Sequence, residues 1–180
     1  MLAPTVAPVS STSGVSPRAM IPRYAHAPRG QRAYGRVPSN WGDNVTLVAP
    51  LTPSGPGPAM TLAGALDGLA FLAYVRELLL PTLVPGQTLV LDNLTVYHRA
   101  AVRRLVEAHD CRLLFLPPYS PDYNPIELAF AKLKAALRRA GARTRADLET
   151  AMAAALDALT PAEVANWFRH CGYRPPGQPL

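Results

Sequence analysis

The chain has 180 residues, 49% hydrophobic and 17% charged, enough for one globular domain with a core of its own. Its 18 Lys and Arg outnumber 12 Asp and Glu for a formal charge of +6, and since only Lys132 and Lys134 are lysines the excess is arginine, which favours a polyanionic partner. The longest apolar stretch is broken by Asp67, Arg76, Glu77 and Pro81, no basic segment precedes an apolar run at the start, and there are two cysteines, Cys111 and Cys171; this argues against a membrane span, a signal peptide and a zinc site.

Residues 1–22 are rich in Ser, Pro, Thr and Ala and show no helical or strand period, which predicts a poorly ordered stretch or one short edge strand. A basic segment follows, with Arg23, Arg29, Arg32 and Arg36 interleaved with Tyr24 and Tyr34. It reads either as a solvated loop or as a nucleic-acid contact surface. NVTLVAPL is β-branched, TPSGPGP is turn-forming and AMTLAG is again strand-like, together an antiparallel hairpin. From Asp67 the apolar residues fall at helical spacing and predict a helix ending before Pro81. QTLVL is a short apolar strand ending at Asp92. An amphipathic helix over 98–108, a strand over 111–116, a Pro- and Tyr-rich loop over 117–125 and a helix over 126–140 follow. A further Ala-rich helix spans 144–159, and Thr160-Pro161-Ala162-Glu163 opens a last helix with a capping box and Pro at its first position. The order describes an α/β domain with a mixed sheet.

Two carboxylates converge in this scheme. Asp92 ends a strand, and in open α/β sheets ligand groups gather beyond the carboxyl ends of strands. Glu127 lies in the first turn of the helix after the loop, and one crossover helix puts QTLVLD and CRLLFL in the same sheet. Such a pair suits Mg²⁺ or Mn²⁺, which take hard oxygen ligands. The plain alternative is that Asp92 caps the next helix and Glu127 stabilises its own helix start.

The segment from Leu89 to Ala140 resembles the DDE domain of bacterial insertion-sequence transposases of the mariner-related group. In that family a second carboxylate follows a strand in a DN…H pattern, matched by Asp92, Asn93 and His98. A third follows LPPYSP-[DE]-x-NPIE, matched from Pro117 to Glu127, and the 34 residues between Asp92 and Glu127 are the family's spacing. The resemblance runs from about Arg23 to Tyr173. It implies an RNase H-like (retroviral-integrase-like) mixed sheet flanked by helices, two Mg²⁺ or Mn²⁺ ions, and phosphodiester cleavage and strand transfer at insertion-sequence ends. Asp92 and Glu127 would be catalytic metal ligands. Asn93, His98, Tyr119 and Asn124 would be active-site neighbours, with Ser120, Pro121 and Pro125 shaping the loop and Asp122 serving a turn. Arg29, Arg32, Arg36, Lys132, Lys134, Arg138 and Arg139 would meet DNA phosphates. The implied partners are DNA and a second copy or a full-length transposase, and the implied location is the bacterial cytoplasm and nucleoid.

The start departs from the family. Its first catalytic Asp ends the first strand, whereas TVAPVSSTSG has Ser11 or Thr12 at that place, and no Asp or Glu precedes Asp43. A helix-turn-helix region is also missing. The reading is therefore an N-terminally truncated domain over 23–173, first strand degraded or missing, with a low-complexity start (1–22) and a tail (174–180). It is expected to be inactive alone, as a frameshifted, decayed or frameshift-joined product. The competing readings are a non-catalytic DNA-binding or regulatory partner of a full-length transposase, and an unrelated metal-dependent nuclease.

Overall fold

The computed structural model describes residues 27–32, 44–92, 99–117 and 120–173. The hairpin expected from the sequence is strand β1 (Val45–Val48) paired antiparallel with β4 (Met60–Ala63), Val45 opposite Ala63 and Val48 opposite Met60. The residues between them, read as strand end and turn, hold a second small ladder, β2 (Leu51–Thr52) with β3 (Gly55–Pro56). Pro50 has no N–H to give a continuous ladder, so β1 stops before it. The Pro50 carbonyl instead accepts from Gly57 N–H at 3.0 Å.

Asp67 caps helix α1 (Gly68–Tyr74), accepting from Ala70 N–H at 2.7 Å. The sequence predicts one helix ending before Pro81. The observed chain loosens into a π-turn over Val75–Leu79 and then tightens into a 3₁₀ turn, Leu80–Thr82, that contains Pro81. Proline is tolerated there because the opening N–H groups of a new turn need no intrahelical partner. Strand β5 (Thr88–Leu91), helix α2 (Arg99–Glu107) and strand β6 (Arg112–Phe115) form one crossover unit. β5 and β6 pair in parallel from Thr88–Arg112 to Leu91–Phe115, as expected.

Three helices close the chain: α3 (Pro125–Ala140), α4 (Arg145–Asp157) and α5 (Pro161–His170). α3 buries Ile126, Ala129, Phe130, Leu133 and Leu137 along one stripe. It stops at Gly141, whose φ of 59° suits a left-handed cap, with its N–H bonded to the Leu137 carbonyl. α4 and α5 open with complete capping boxes, Thr144 with Asp147 and Thr160 with Glu163. Each such cap contributes about 1 kcal/mol.

Two apolar clusters divide the interior. In one, Val45, Leu47 and Leu51 pack against α3, α4 and α5 through Phe130, Leu133, Leu148, Met152, Val164 and Phe168. In the other, Val48 joins Phe71, Tyr74 and Val75 of the first helical segment, Leu89 and Leu91 of β5, and Val102 and Val106 of α2. Val45 and Leu47 against Val48 is the period-two alternation of a strand covered on both faces. Tyr74 is buried with its hydroxyl donating to the Pro58 carbonyl at 2.9 Å, and burial pushes its ionisation well above the ordinary tyrosine range. No helix among the described residues is long and apolar enough to cross a membrane.

α5 is tied to α3 by an ion pair, Lys132 Nζ to Glu163 Oε1 at 2.6 Å. Lys132, together with the Thr160 cap, holds the Glu163 carboxyl down from 4.5 to about 2. A depressed carboxyl stabilises the fold fully above its unfolded pKa and loses that contribution as pH falls through its folded value. We expect Glu163→Gln to flatten the acid dependence of the melting temperature between pH 5 and pH 2, read by circular dichroism. A parallel acid profile in the variant would show that the pair contributes nothing.

Candidate metal and nucleic-acid site

The site is built at the carboxyl ends of the two parallel strands. Asp92 is the residue after β5, half-buried, with its Oδ1 shielded from solvent. The ladder reaches its doorstep, because Leu116 N–H bonds to the Leu91 carbonyl at 2.8 Å. From β6 the chain passes Pro117 and a 3₁₀ turn, Pro121–Tyr123, and enters α3 with Asn124 as its N-cap. Pro125 takes the first helical position and Glu127 the third, so in chain order Asp92 follows β5 and Glu127 follows β6.

The start of α3 differs from the other helix starts. Asn124 and Glu127 have the spacing of a capping box, yet the Asn124 side chain makes no cap bond. Asn124 is 5% exposed, and its Oδ1 is buried without a hydrogen-bond partner. The Glu127 carboxylate is exposed and enters no ion pair or hydrogen bond among the described residues. The backbone shows why. Asp67, Thr144 and Thr160 cap with ψ of 171°, 162° and 146°, whereas Asn124 has ψ of 95°. Asn124 is pinned between the 3₁₀ turn and Pro125, whose ring restricts the residue before it. The carboxylate of Glu127 is thus not consumed by its own helix start, although it still benefits from the helix dipole.

Of the other predicted site residues, Asn93, His98, Tyr119 and Arg36 lie outside the described residues, as do segments 1–22 and 174–180. Arg29 and Arg32 are exposed, Arg29 within and Arg32 directly after a turn closed by Gln31 N–H to the Pro28 carbonyl. Lys132 is engaged with Glu163. Lys134 and Arg138 are half-buried and Arg139 is exposed toward the end of α3, and none of the three joins an ion pair among the described residues. Asp122 is an exposed residue of the 3₁₀ turn. Burial raises the Cys171 thiol, and the negative charge of Asp122 adds to the rise, which puts this turn close to the end of α5. Asp67 is occupied as the cap of α1.

Among the described residues no group of three or more His, Cys, Asp and Glu side chains could hold a metal ion. Asp92 and Glu127 nevertheless offer the oxygen donors that Mg²⁺ takes from one or two carboxylates completed by substrate phosphates.

A family model described as DDE superfamily endonuclease matches residues 12–149. The chain belongs to the DDE superfamily. The match starts upstream of Arg23, where the residue-level resemblance begins, and ends inside α4. Three solved structures are similar to this DDE-superfamily chain. The Mos1 strand transfer complex shares 17% identity over 83% of this chain and 46% of that chain, with a TM-score of 0.67. The mariner Mos1 paired end complex with Mg shares 18% over 95% and 51%, with a TM-score of 0.64. The catalytic domain of Mos1 mariner transposase shares 17% over 72% and 68%, with a TM-score of 0.61. The DDE-superfamily chain spans about half the length of the Mos1 chains in the two complexes. At such identities the likeness establishes the fold, the RNase H-like one of the mariner catalytic domain, as expected from the sequence. A search of curated proteins found no match.

Two features escaped the sequence reading: the pairing of Lys132 with Glu163, and the approach of the α5 end to the turn before Glu127. Nothing in the sequence pairs residues 31 and about 50 positions apart.

Proposed function

We propose that this protein is a transposase catalytic-domain protein acting on DNA, for metal-dependent phosphodiester cleavage and strand transfer at insertion-sequence ends. Asp92 and Glu127 are its metal ligands, and the isolated chain is inactive. The observation that carries the site assignment is the start of α3, where a Glu in capping-box position joins no cap bond while α4 and α5 complete their boxes. Departures from local rules of this kind gather at functional sites.

Asp92 is fixed by the last residue of a buried strand, and Glu127 by a helix start that two prolines restrict. A bound Mg²⁺ or Mn²⁺ supplies charge neutralisation at the scissile phosphate and a lowered pKa for the attacking hydroxyl. The Mos1 paired end complex with Mg supports that choice of ion. The chain's own carboxylates orient one such ion, and Arg29, Arg32, Arg36, Lys134, Arg138 and Arg139 bind the phosphate backbone beside it. Inactivity follows from the absence of any Asp or Glu before Asp43, at the place where the family's first strand carries its catalytic Asp.

The test incubates the full chain with Mg²⁺ or Mn²⁺ and supercoiled plasmid, alongside fluorescence anisotropy on duplex DNA. We expect no nicking, and binding that weakens steeply between 50 and 200 mM salt, losing on the order of ten-fold or more. Robust nicking abolished by Glu127→Gln would overturn the inactivity and favour a self-sufficient nuclease. Tight, sequence-specific binding without nicking would favour a regulatory partner of a full-length transposase.

A further inference from the structure

After α5 the chain turns through Cys171 and Gly172, whose φ of 84° is the left-handed conformation that glycine adopts without strain. The turn returns Tyr173 onto the helix it has just left. Its N–H donates to the Phe168 carbonyl at 2.9 Å, and its ring meets that of Phe168 edge-on, centroids 5.6 Å apart at 71°. Phe168 is itself part of the core beneath α3 and α4. Tyr173 is thus half-buried and packed against the core cluster. Its hydroxyl donates to the Tyr123 carbonyl at 2.8 Å. Tyr123 closes the 3₁₀ turn and directly precedes Asn124, three residues before Glu127.

The turn's own bond, Tyr123 N–H to the Ser120 carbonyl, is long at 3.3 Å. Pro121 and Pro125 have no N–H to give, and the Asn124 Oδ1 has no hydrogen-bond partner among the described residues. The Tyr173 hydroxyl thus supplies a fixed donor from outside the turn, at the point where its direction sets the start of α3. The Lys132–Glu163 pair makes a second tie between the same two helices one and a half turns further on.

We propose that Tyr173 is a positioning residue for Glu127: its hydroxyl anchors the Tyr123 carbonyl and thereby aims the helix start that carries the carboxylate. This rests on the reading of Glu127 as a metal ligand. Tyr173 lies beyond the residues that the family model matches, 12–149, so the DDE motif itself does not assign it.

Tyr173→Phe keeps the ring against Phe168 and removes only the hydroxyl. Two readouts on the full chain test the idea: amide hydrogen exchange resolved by residue, and Mn²⁺ binding followed by electron paramagnetic resonance. The expected result is exchange accelerated about five-fold or more at Tyr123, Asn124, Ile126 and Glu127, the consequence of losing one hydrogen bond. The amides of α4 and the interior of α5 keep their rates, and Mn²⁺ affinity falls a few-fold. Unchanged exchange around Tyr123 overturns the proposal. So does acceleration throughout α5, which would make the hydroxyl a support of its own helix. Wild-type chain that binds Mn²⁺, with a variant that binds it equally tightly, defeats the positioning role while leaving Glu127 as a ligand. Wild-type chain that binds no Mn²⁺ defeats the reading of Glu127 first, and the positioning role falls with it even if the turn loosens.

Discussion

Phe71→Ala is expected to destabilise the protein by about 3–5 kcal/mol, the usual cost of emptying a fully buried aromatic site. Phe71 is 0% exposed in the cluster that joins α1 to β5 and α2. Its ring stacks on Tyr74 with centroids 6.3 Å apart. Tyr74 cannot collapse into the space without giving up its bond to the Pro58 carbonyl. A domain of this size has total stability of about 5–15 kcal/mol, so the variant should sit at the edge of unfolding at room temperature. Urea denaturation would show the midpoint falling with little change in slope. Leu69→Ala is the control. Leu69 is two residues away on the same helix but 71% exposed, and its loss should stay within about 0.5 kcal/mol. Equal effects at the two positions would mean that the helix does not pack as described.

The second large effect concerns the carboxylates. On the proposed reading, Asp92→Asn and Glu127→Gln should each weaken Mn²⁺ binding by about ten-fold or more, since a neutral amide is a poorer ligand than a carboxylate for a hard cation. Water-proton relaxation of a Mn²⁺ titration measures this directly. The double variant should lose little beyond the worse single one, because two ligands of one ion act as a unit. Stability should respond differently at the two positions. Glu127 is exposed and joins no ion pair among the described residues, so its variant should lose only the helix-dipole contribution of about 0.3–1 kcal/mol, whereas Asp92 is half-buried at a strand end and its variant should melt lower. Wild-type affinity retained in both variants would remove Asp92 and Glu127 from the site.

Much of this arrangement was legible before any coordinates, for identifiable reasons. The strand β5 and its terminal Asp92 are visible because a short apolar run bounded by turn residues has few alternatives. α4 is visible as an Ala-rich run, and α5 from its cap, Thr160 with Glu163. The parallel pairing of β5 with β6 followed from the single crossover helix between them. What stayed hidden was set by tertiary contacts. Pro50 divides the hairpin into two ladders, which no alternation of residue types announces. The π-turn at Val75–Leu79 keeps Val75, Leu79 and Leu80 facing inward while Arg76, Glu77 and Leu78 face water. A helical wheel drawn on Asp67–Leu80 cannot anticipate that change of phase. The unused cap at Asn124 was also beyond the sequence, because Asn followed three residues later by Glu reads as a box. Only the backbone angle shows that it is not one.

The packing of α5 bears on where this protein can be cut. The matched family stretch stops at residue 149, but Leu159, Val164 and Phe168 lie in the same apolar cluster as Ile126, Phe130 and Leu133. A protease or a stop codon acting at that limit would leave the inner face of α3 open to water, with Lys132 deprived of Glu163 and the turn before Glu127 deprived of Tyr173. The packed unit that contains α3 therefore extends through α5, and a shorter fragment ending at residue 149 would be a substrate for degradation rather than a minimal domain.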